Sequence, residues 1–338
     1  MDLFRRMLQK GLVNGRRLNF VPYLLIGGGT ASYYASLTIR ARDPDARVLI
    51  VSDEEESPYR RSVLSKEVWW YGDENSPASL SFQSPSGDKR RHICYEADGF
   101  YLLPEDLDRW EHGGVALMCG TKVENIDVEN NVVQLQDGRK IEFGKCLIAT
   151  GSKPLHKNIL DENTELRTSI SVMSDVEDYR RLHSKLEELS NSTSEASTSE
   201  SFKNIVILGG GILGTELAYS LNRRYVRGKQ SNLRIFQLVN EQGILDDILP
   251  RSLSDCCTQS LHSQGVKILL NTNIDSFSSI STKPGNRIRL NIRQKNEDVH
   301  ELLCDHLILA SGALPAIDLA KNSGLELDKV CTLLYILF

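Results

Sequence analysis

The sequence contains no C-x-x-C pair, although seven of its 338 residues are cysteine. Cys94, Cys119, Cys146, Cys256, Cys257, Cys304 and Cys331 are odd in number and scattered, which excludes a disulfide framework and a zinc ribbon. A relay through a closely spaced dithiol is excluded too, since the adjacent Cys256 and Cys257 would pair only with strain. Both are read as ordinary packing residues. No apolar run approaches the roughly 18 residues that cross a bilayer, so no membrane span is expected. Positive charge is not in excess: 40 Lys and Arg face 45 Asp and Glu, a net charge of -5 that argues against a dedicated nucleic-acid binder. The histidines show no ligand spacing, so no metal site is expected. What remains is a globular composition, 40% hydrophobic and 25% charged, in a chain long enough for two domains rather than one core.

The basic residues are concentrated at the start. Arg5, Arg6, Lys10, Arg16 and Arg17 stand against one acid in the first twenty positions, and Leu3, Met7 and Leu8 can share a helical face. These are features of a mitochondrial presequence. A frayed basic terminus accounts for the same residues equally well.

An internal duplication organises the rest. The first copy runs from an apolar strand, Tyr23 to Ile26, into Gly27-Gly28-Gly29-Thr30-Ala31-Ser32, a helix, and a strand from Arg47 to Val51 that leads to Asp53. The second runs from Ile205 to Leu208 into Gly209-Gly210-Gly211-Ile212-Leu213-Gly214, a helix through Glu216, and a strand from Arg234 to Val239 that leads to Glu241. Shorter strands follow in each: Lys122 to Asp127 and Val132 to Leu135 before an Asp137-Gly138 turn, then Arg287 to Ile292 and Val299 to Leu303. Each copy closes on an apolar strand ending in small residues, Cys146 to Gly151 and His306 to Gly312. Residues 79 to 95 read as a hairpin turning at Ser86-Gly87, and the polar run from 190 to 201 as a disordered insert.

Both glycine loops sit between a buried strand and a helix, which is where a G-x-G-x-x-G pattern binds a dinucleotide. The first glycine makes the tight turn and the second admits the pyrophosphate. The third small residue lets helix pack on strand, with the phosphates on free helix N-terminal amides. Ser32 takes the third place in the first loop. Asp53 and Glu241 stand where a carboxylate binds ribose hydroxyls and repels a 2′-phosphate. That favours FAD at the first site and NADH over NADPH at the second.

The stretch from Ser57 through Pro58-Tyr59-Arg60-Arg61, Leu64-Ser65-Lys66-Glu67 and Trp69 resembles the P-Y-x-R-P-P-L-S-K-E-x-W segment of the apoptosis-inducing-factor family, a ferredoxin-reductase-like branch of the FAD/NADH-dependent pyridine nucleotide-disulfide oxidoreductases. LLIGGGTAS, IRARDPDARVLIVS, GGVALMCGTKV, KCLIATGSKP and GGGILGTELA extend the similarity over about residues 21 to 328. The resemblance implies that Gly27, Gly28, Gly29, Thr30, Ala31, Asp53, Glu54, Arg61, Lys66, Val123 and Arg167 line FAD. It implies that Gly209 to Gly214, Glu241 and Gly312 line NADH, and that Lys66 and Glu216, from different domains, pair beside the reactive flavin nitrogen. A cation there would stabilise the charge that builds up as hydride arrives. Asp247 stands where the family tends to have a lysine, and Pro85 where it has a tryptophan.

The expected fold is α/β with two Rossmann-like dinucleotide-binding domains. A basic segment (1–20) precedes an FAD-binding domain (21–160) and an inserted NAD-binding domain (161–312), and residues 313–338 begin a truncated return. The resemblance implies hydride transfer from NADH to FAD and on to an acceptor, with mitochondrial and cell-death roles. It also implies a place in the intermembrane space (the cytosol if the N-terminal segment is no presequence), an NADH-dependent dimer and the disulfide-relay import protein as partner. The family continues into a Gly-Asp motif that grips the flavin ribityl chain and a C-terminal domain, neither of which follows before Phe338. Weak FAD retention and little NADH oxidase activity are therefore expected; the alternative is a catalytically inactive isoform that keeps an NAD-binding, interaction module.

Overall fold

A computed structural model describes residues 20–155, 166, 168–191, 202–227, 231–282, 285–295 and 298–328. The basic N-terminal segment, nearly all of the polar insert, Arg167 and Cys331 lie outside the described residues. The chain packs as two compact units. One contains residues 20–60, 94–152 and 315–328, the other Arg61–Ile93 and Lys153–Leu314.

In the first unit, the apolar runs form β1 (Phe20–Ile26) and β2 (Arg47–Val51), joined by helix α1 (Thr30–Arg42). β3 (Gly114–Met118), β4 (Val123–Asp127), β5 (Val132–Leu135) and β6 (Lys140–Ile148) complete a six-stranded sheet in the order β3-β2-β1-β6-β5-β4. β1, β2, β3 and β6 run parallel, while β4 and β5 return antiparallel. A parallel strand is covered on both faces, which is why β2 reads as an unbroken apolar run. Leu49 and Val51 enter one core with Leu24, Leu135 and Phe143; Val48 and Ile50 enter another, against Ala35 and Ile39 of α1. The short helix Asp318–Asn322 returns to this unit, burying Leu319 in the first core.

The second unit is built on a fully parallel five-stranded sheet. Its strands are β7 (Ile170–Val172), β8 (Lys203–Leu208), β9 (Leu233–Leu238), β10 (Lys267–Leu269) and β14 (His306–Leu309), ordered β7-β14-β8-β9-β10. Helices α2 (Val176–Asn191), α3 (Ile212–Leu221) and α4 (Arg251–Ser263) connect it. β11 (Thr272–Thr282), β12 (Gly285–Gln294) and β13 (Val299–Cys304) form an antiparallel sheet, from which Ile288, Leu290 and Ile292 of β12 share a core with Val206, Leu238 and Leu307. α2 and β11 have no counterpart in the sequence reading; α2 carries a charged exposed face and a buried one of Tyr179, Leu182 and Leu186.

Packing places residues 61–93 in this second unit, whereas the sequence reading assigned them to a first domain running to residue 160. The anchor is Trp69, 1% exposed, whose indole N–H donates to the Leu64 carbonyl at 2.7 Å. Its ring meets Tyr179 edge-on at 5.1 Å and stacks near His183 at 5.8 Å. Aromatic side chains bury large areas, so one such anchor outweighs chain proximity in deciding where a short segment packs. The hairpin lies in the same segment, with Ser81–Gln83 antiparallel to Arg90–His92.

Candidate functional site

The two glycine loops are close structural copies. Gly27 follows β1 with φ +111°, and its N–H donates to the Val51 carbonyl at 2.8 Å. Gly209 follows β8 with φ +130° and donates to the Leu238 carbonyl at 2.9 Å. A Cβ at Gly27 would collide with the Ala149 carbonyl at the end of β6, and one at Gly209 with the Ala310 carbonyl after β14. Each loop therefore turns between its sheet's central strand and the strand beside it, where only a backbone fits. Gly29 and Gly211, by contrast, have open space where a Cβ would stand, so their backbone is free to approach a ligand.

Each loop leads directly into a helix N-terminus. Gly29 caps α1 and Gly211 caps α3 with no side-chain capping bond, and neither helix carries an acid in its first turn. The first amides of both helices are thus left for an anion. Thr30 and Ala31 are exposed at the start of α1, and Ile212 at the start of α3. The third loop positions pack inward: Ser32 is fully buried, and Gly214 lies so close to the Gly209 carbonyl that a Cβ would clash.

The acids expected at the strand ends differ in setting. Glu241 is half-buried and leans over its loop, with Oε2 3.3 Å from where a Cβ of Gly210 would stand. Asp53 is exposed beyond β2, next to Ser52, whose side chain fills the space beside Gly28. Glu54 accepts a 2.6 Å hydrogen bond from the Tyr59 hydroxyl, and Val123 is buried at the start of β4. Arg61 packs in the second unit, donating to the Ser174 carbonyl at 2.7 Å. Gly312 follows β14, its carbonyl accepting the Leu155 N–H at 3.0 Å. Asp247 is exposed.

Lys66 and Glu216 meet. The Lys66 ammonium lies 2.7 Å from Glu216 Oε1, each side chain about one-quarter exposed (25% and 26%). The pair was expected to join two domains; both residues belong to the second unit, because Trp69 carries the Lys66 segment there. The Ser65 hydroxyl donates to the other oxygen, Glu216 Oε2, at 2.6 Å.

Several supporting residues were not singled out in the sequence. Gln237, fully buried in β9, donates from Nε2 to the Gly209 carbonyl at 2.9 Å and props the second loop from beneath. Its signal was a lone amide in an otherwise apolar strand end. The Leu245 N–H donates to the Gly210 carbonyl at 2.7 Å. Burial pushes the Cys119 and Cys146 thiols up to about 12, so neither is a thiolate at neutral pH.

The chain and its fold are similar to known proteins. The model of a family described as pyridine nucleotide-disulphide oxidoreductase matches residues 21–331. A Drosophila melanogaster relative, a candidate mitochondrial apoptosis-inducing factor 1, is 32% identical over 312 residues, 91% of this chain and 39% of its own length. The mitochondrial apoptosis-inducing factor 1 of Dictyostelium discoideum is 30% identical over 308 residues, 91% of this chain and 52% of its own. The chain thus spans about half or less of these two relatives. Among solved structures, putidaredoxin reductase in its covalent putidaredoxin complex superposes with TM-score 0.68 at 18% identity, covering 91% of this chain and 62% of that one, a likeness of fold.

Proposed function

Because the chain belongs to the pyridine nucleotide-disulphide oxidoreductase family, we propose that it is an FAD-dependent NADH oxidoreductase of the apoptosis-inducing-factor kind. The observation that carries this reading is the doubled glycine cradle, in which two sheets, each with a parallel centre, present a strand–glycine–helix turn that a Cβ would block. The residues fit the two nucleotides. Gly27 to Ala31 would hold the FAD pyrophosphate on the α1 amides, with Asp53 at its ribose. Gly209 to Leu213 would hold that of NADH on α3, with Glu241 at its ribose. When bound, the flavin supplies the hydride acceptor, and that chemistry is the cofactor's own. The chain's part is to fix the nucleotides, and the sequence resemblance adds that the Lys66 cation, oriented by Glu216, would stabilise the charge that the flavin gains. Arg167, expected at the flavin, lies outside the described residues.

Two relatives carry mitochondrial apoptosis-inducing-factor names, which supports a mitochondrial place and a cell-death role for this protein. Residence in the intermembrane space, the disulfide-relay partner and an NADH-dependent dimer are supported by the sequence resemblance.

Calorimetric titration of the 338-residue chain with NADH and NADPH tests the second cradle. NADH should bind at least about tenfold tighter, a difference of roughly 1.4 kcal/mol, because Glu241 would meet the extra phosphate. Glu241→Gln should narrow that gap. Equal affinities in the unsubstituted chain would refute the assignment.

A further inference from the structure

Behind the Lys66–Glu216 pair runs a second layer of hydrogen bonds within the same unit. The Trp70 indole N–H donates to Ser220 Oγ at 2.8 Å, and the Ser220 hydroxyl donates to the Ser65 carbonyl at 2.7 Å. Ser65 Oγ then donates to Glu216 Oε2 at 2.6 Å, in preference to the Ser62 carbonyl at 3.3 Å. Ser220 is fully buried and Ser65 only 4% exposed. The direction of this chain is set by chemistry. An indole N–H can only donate, so Ser220 must accept there and spend its single proton on Ser65. A carboxylate can only accept, so Ser65 must donate to it.

Glu216 and Ser220 are four residues apart on α3 and so share one face of a rigid helix. Ser65 and Lys66 are neighbours on the facing segment. The helix therefore grips that segment twice, once at the Ser65 backbone and once through both oxygens of Glu216. A lysine–glutamate pair this exposed would by itself be loosely held, since lysine is a compact charge on a flexible stem. We propose that Ser65, locked by the Trp70–Ser220 hydrogen bonds, is a positioning residue that fixes the Glu216 carboxylate so that the Lys66 ammonium keeps a single orientation. Its purpose rests on the oxidoreductase reading above, in which that ammonium stabilises the charge the flavin gains; the lock itself does not.

The test separates the two. In the FAD-free chain, the Lys66 ammonium is followed by 15N-detected NMR, its signal assigned by its loss in Lys66→Arg. Ser65→Ala should speed its proton exchange with water at least about fivefold, Trp70→Phe should do so in the same direction, and Ser65→Thr should restore slow exchange. A Ser65→Ala chain that melts as the unsubstituted one does but exchanges at the unsubstituted rate overturns the proposal. So does a Ser65→Thr chain that folds but stays fast. Should Ser65→Ala fail to fold, Trp70→Phe alone decides by the same criterion. The flavin-loaded chain then reads the purpose: Ser65→Ala should lower the rate of flavin reduction by bound NADH several-fold with little change in NADH affinity. If Lys66→Ala leaves that rate unchanged, the oxidoreductase role of the pair fails while the lock, judged by exchange, stands.

Discussion

Gly209→Ala should lower the stability of the chain by roughly 2–6 kcal/mol and abolish NADH binding, while Gly211→Ala, two residues on, should leave stability almost unchanged and still weaken binding. The two glycines answer to different constraints. At Gly209 the backbone has φ +130°, where an L side chain costs about 1–3 kcal/mol of strain. The added Cβ would also strike the Ala310 carbonyl, which is backbone and cannot rotate away, adding roughly 1–3 kcal/mol of overpacking. Gln237 holds the Gly209 carbonyl from the other side, so the loop has little room to shift. At Gly211 no atom lies within 4 Å of the added Cβ, so the methyl group meets no protein and enters only the open space that the proposed ligand would use. Thermal melts with and without NADH separate the effects. Equal destabilisation by both substitutions would show that the loop is a structural turn and no cradle.

Acidification should begin to destabilise the second unit well above the pH at which carboxylates titrate, through His306. This histidine is 1% exposed at the start of β14, and burial pushes it down to about 3, with the Lys185 charge contributing in the same sense. Nε2 pairs with Ser171 Oγ at 2.8 Å, but Nδ1 is buried without a partner. Protonation would make both ring nitrogens donors and leave a charged N–H with no acceptor. The folded state thus binds the proton less readily than the unfolded chain, whose histidine titrates near 6.5. Stability from this group is complete above about pH 6.5 and is lost as pH falls from there toward 3. At about 1.4 kcal/mol per pH unit the loss approaches about 4 kcal/mol near the lower limit. His183, also lowered by burial, adds a loss of the same sign. Denaturant titrations between pH 7 and 4.5 should show the decline, and His306→Asn should flatten most of it at some cost in stability at pH 7. A flat profile in the unsubstituted chain would mean that His306 is wet or paired.

The elements legible in the sequence were those dictated by local sterics. β2, read as Arg47 to Val51, and β5, read as Val132 to Leu135, have those same bounds in the structure. A central strand must be apolar on both faces, and a hairpin strand is cut off by its turn. The apolar residues of α2 recur with helical spacing inside a largely charged segment, and β11, rich in serine, lacks the alternation that marks a half-buried strand.

What the sequence by itself determined was the pair of glycine turns between strand and helix, the packing of their third small residues and the place of the acids beyond the second strands, because each answers to neighbours a few positions away. Only the tertiary structure decided that residues 61–93 pack with the second unit, that Lys66 and Glu216 meet within it, and that Gln237 and the Trp70–Ser220–Ser65 hydrogen bonds stand behind these sites. The reason is physical. Lys66 and Glu216 are 150 positions apart, as are Trp70 and Ser220. A hydrogen bond over that separation imposes no period or spacing on the chain, so the Lys66–Glu216 pair was legible through the family resemblance alone, and the Trp70–Ser220–Ser65 bonds only once a buried anchor such as Trp69 has brought their segments together.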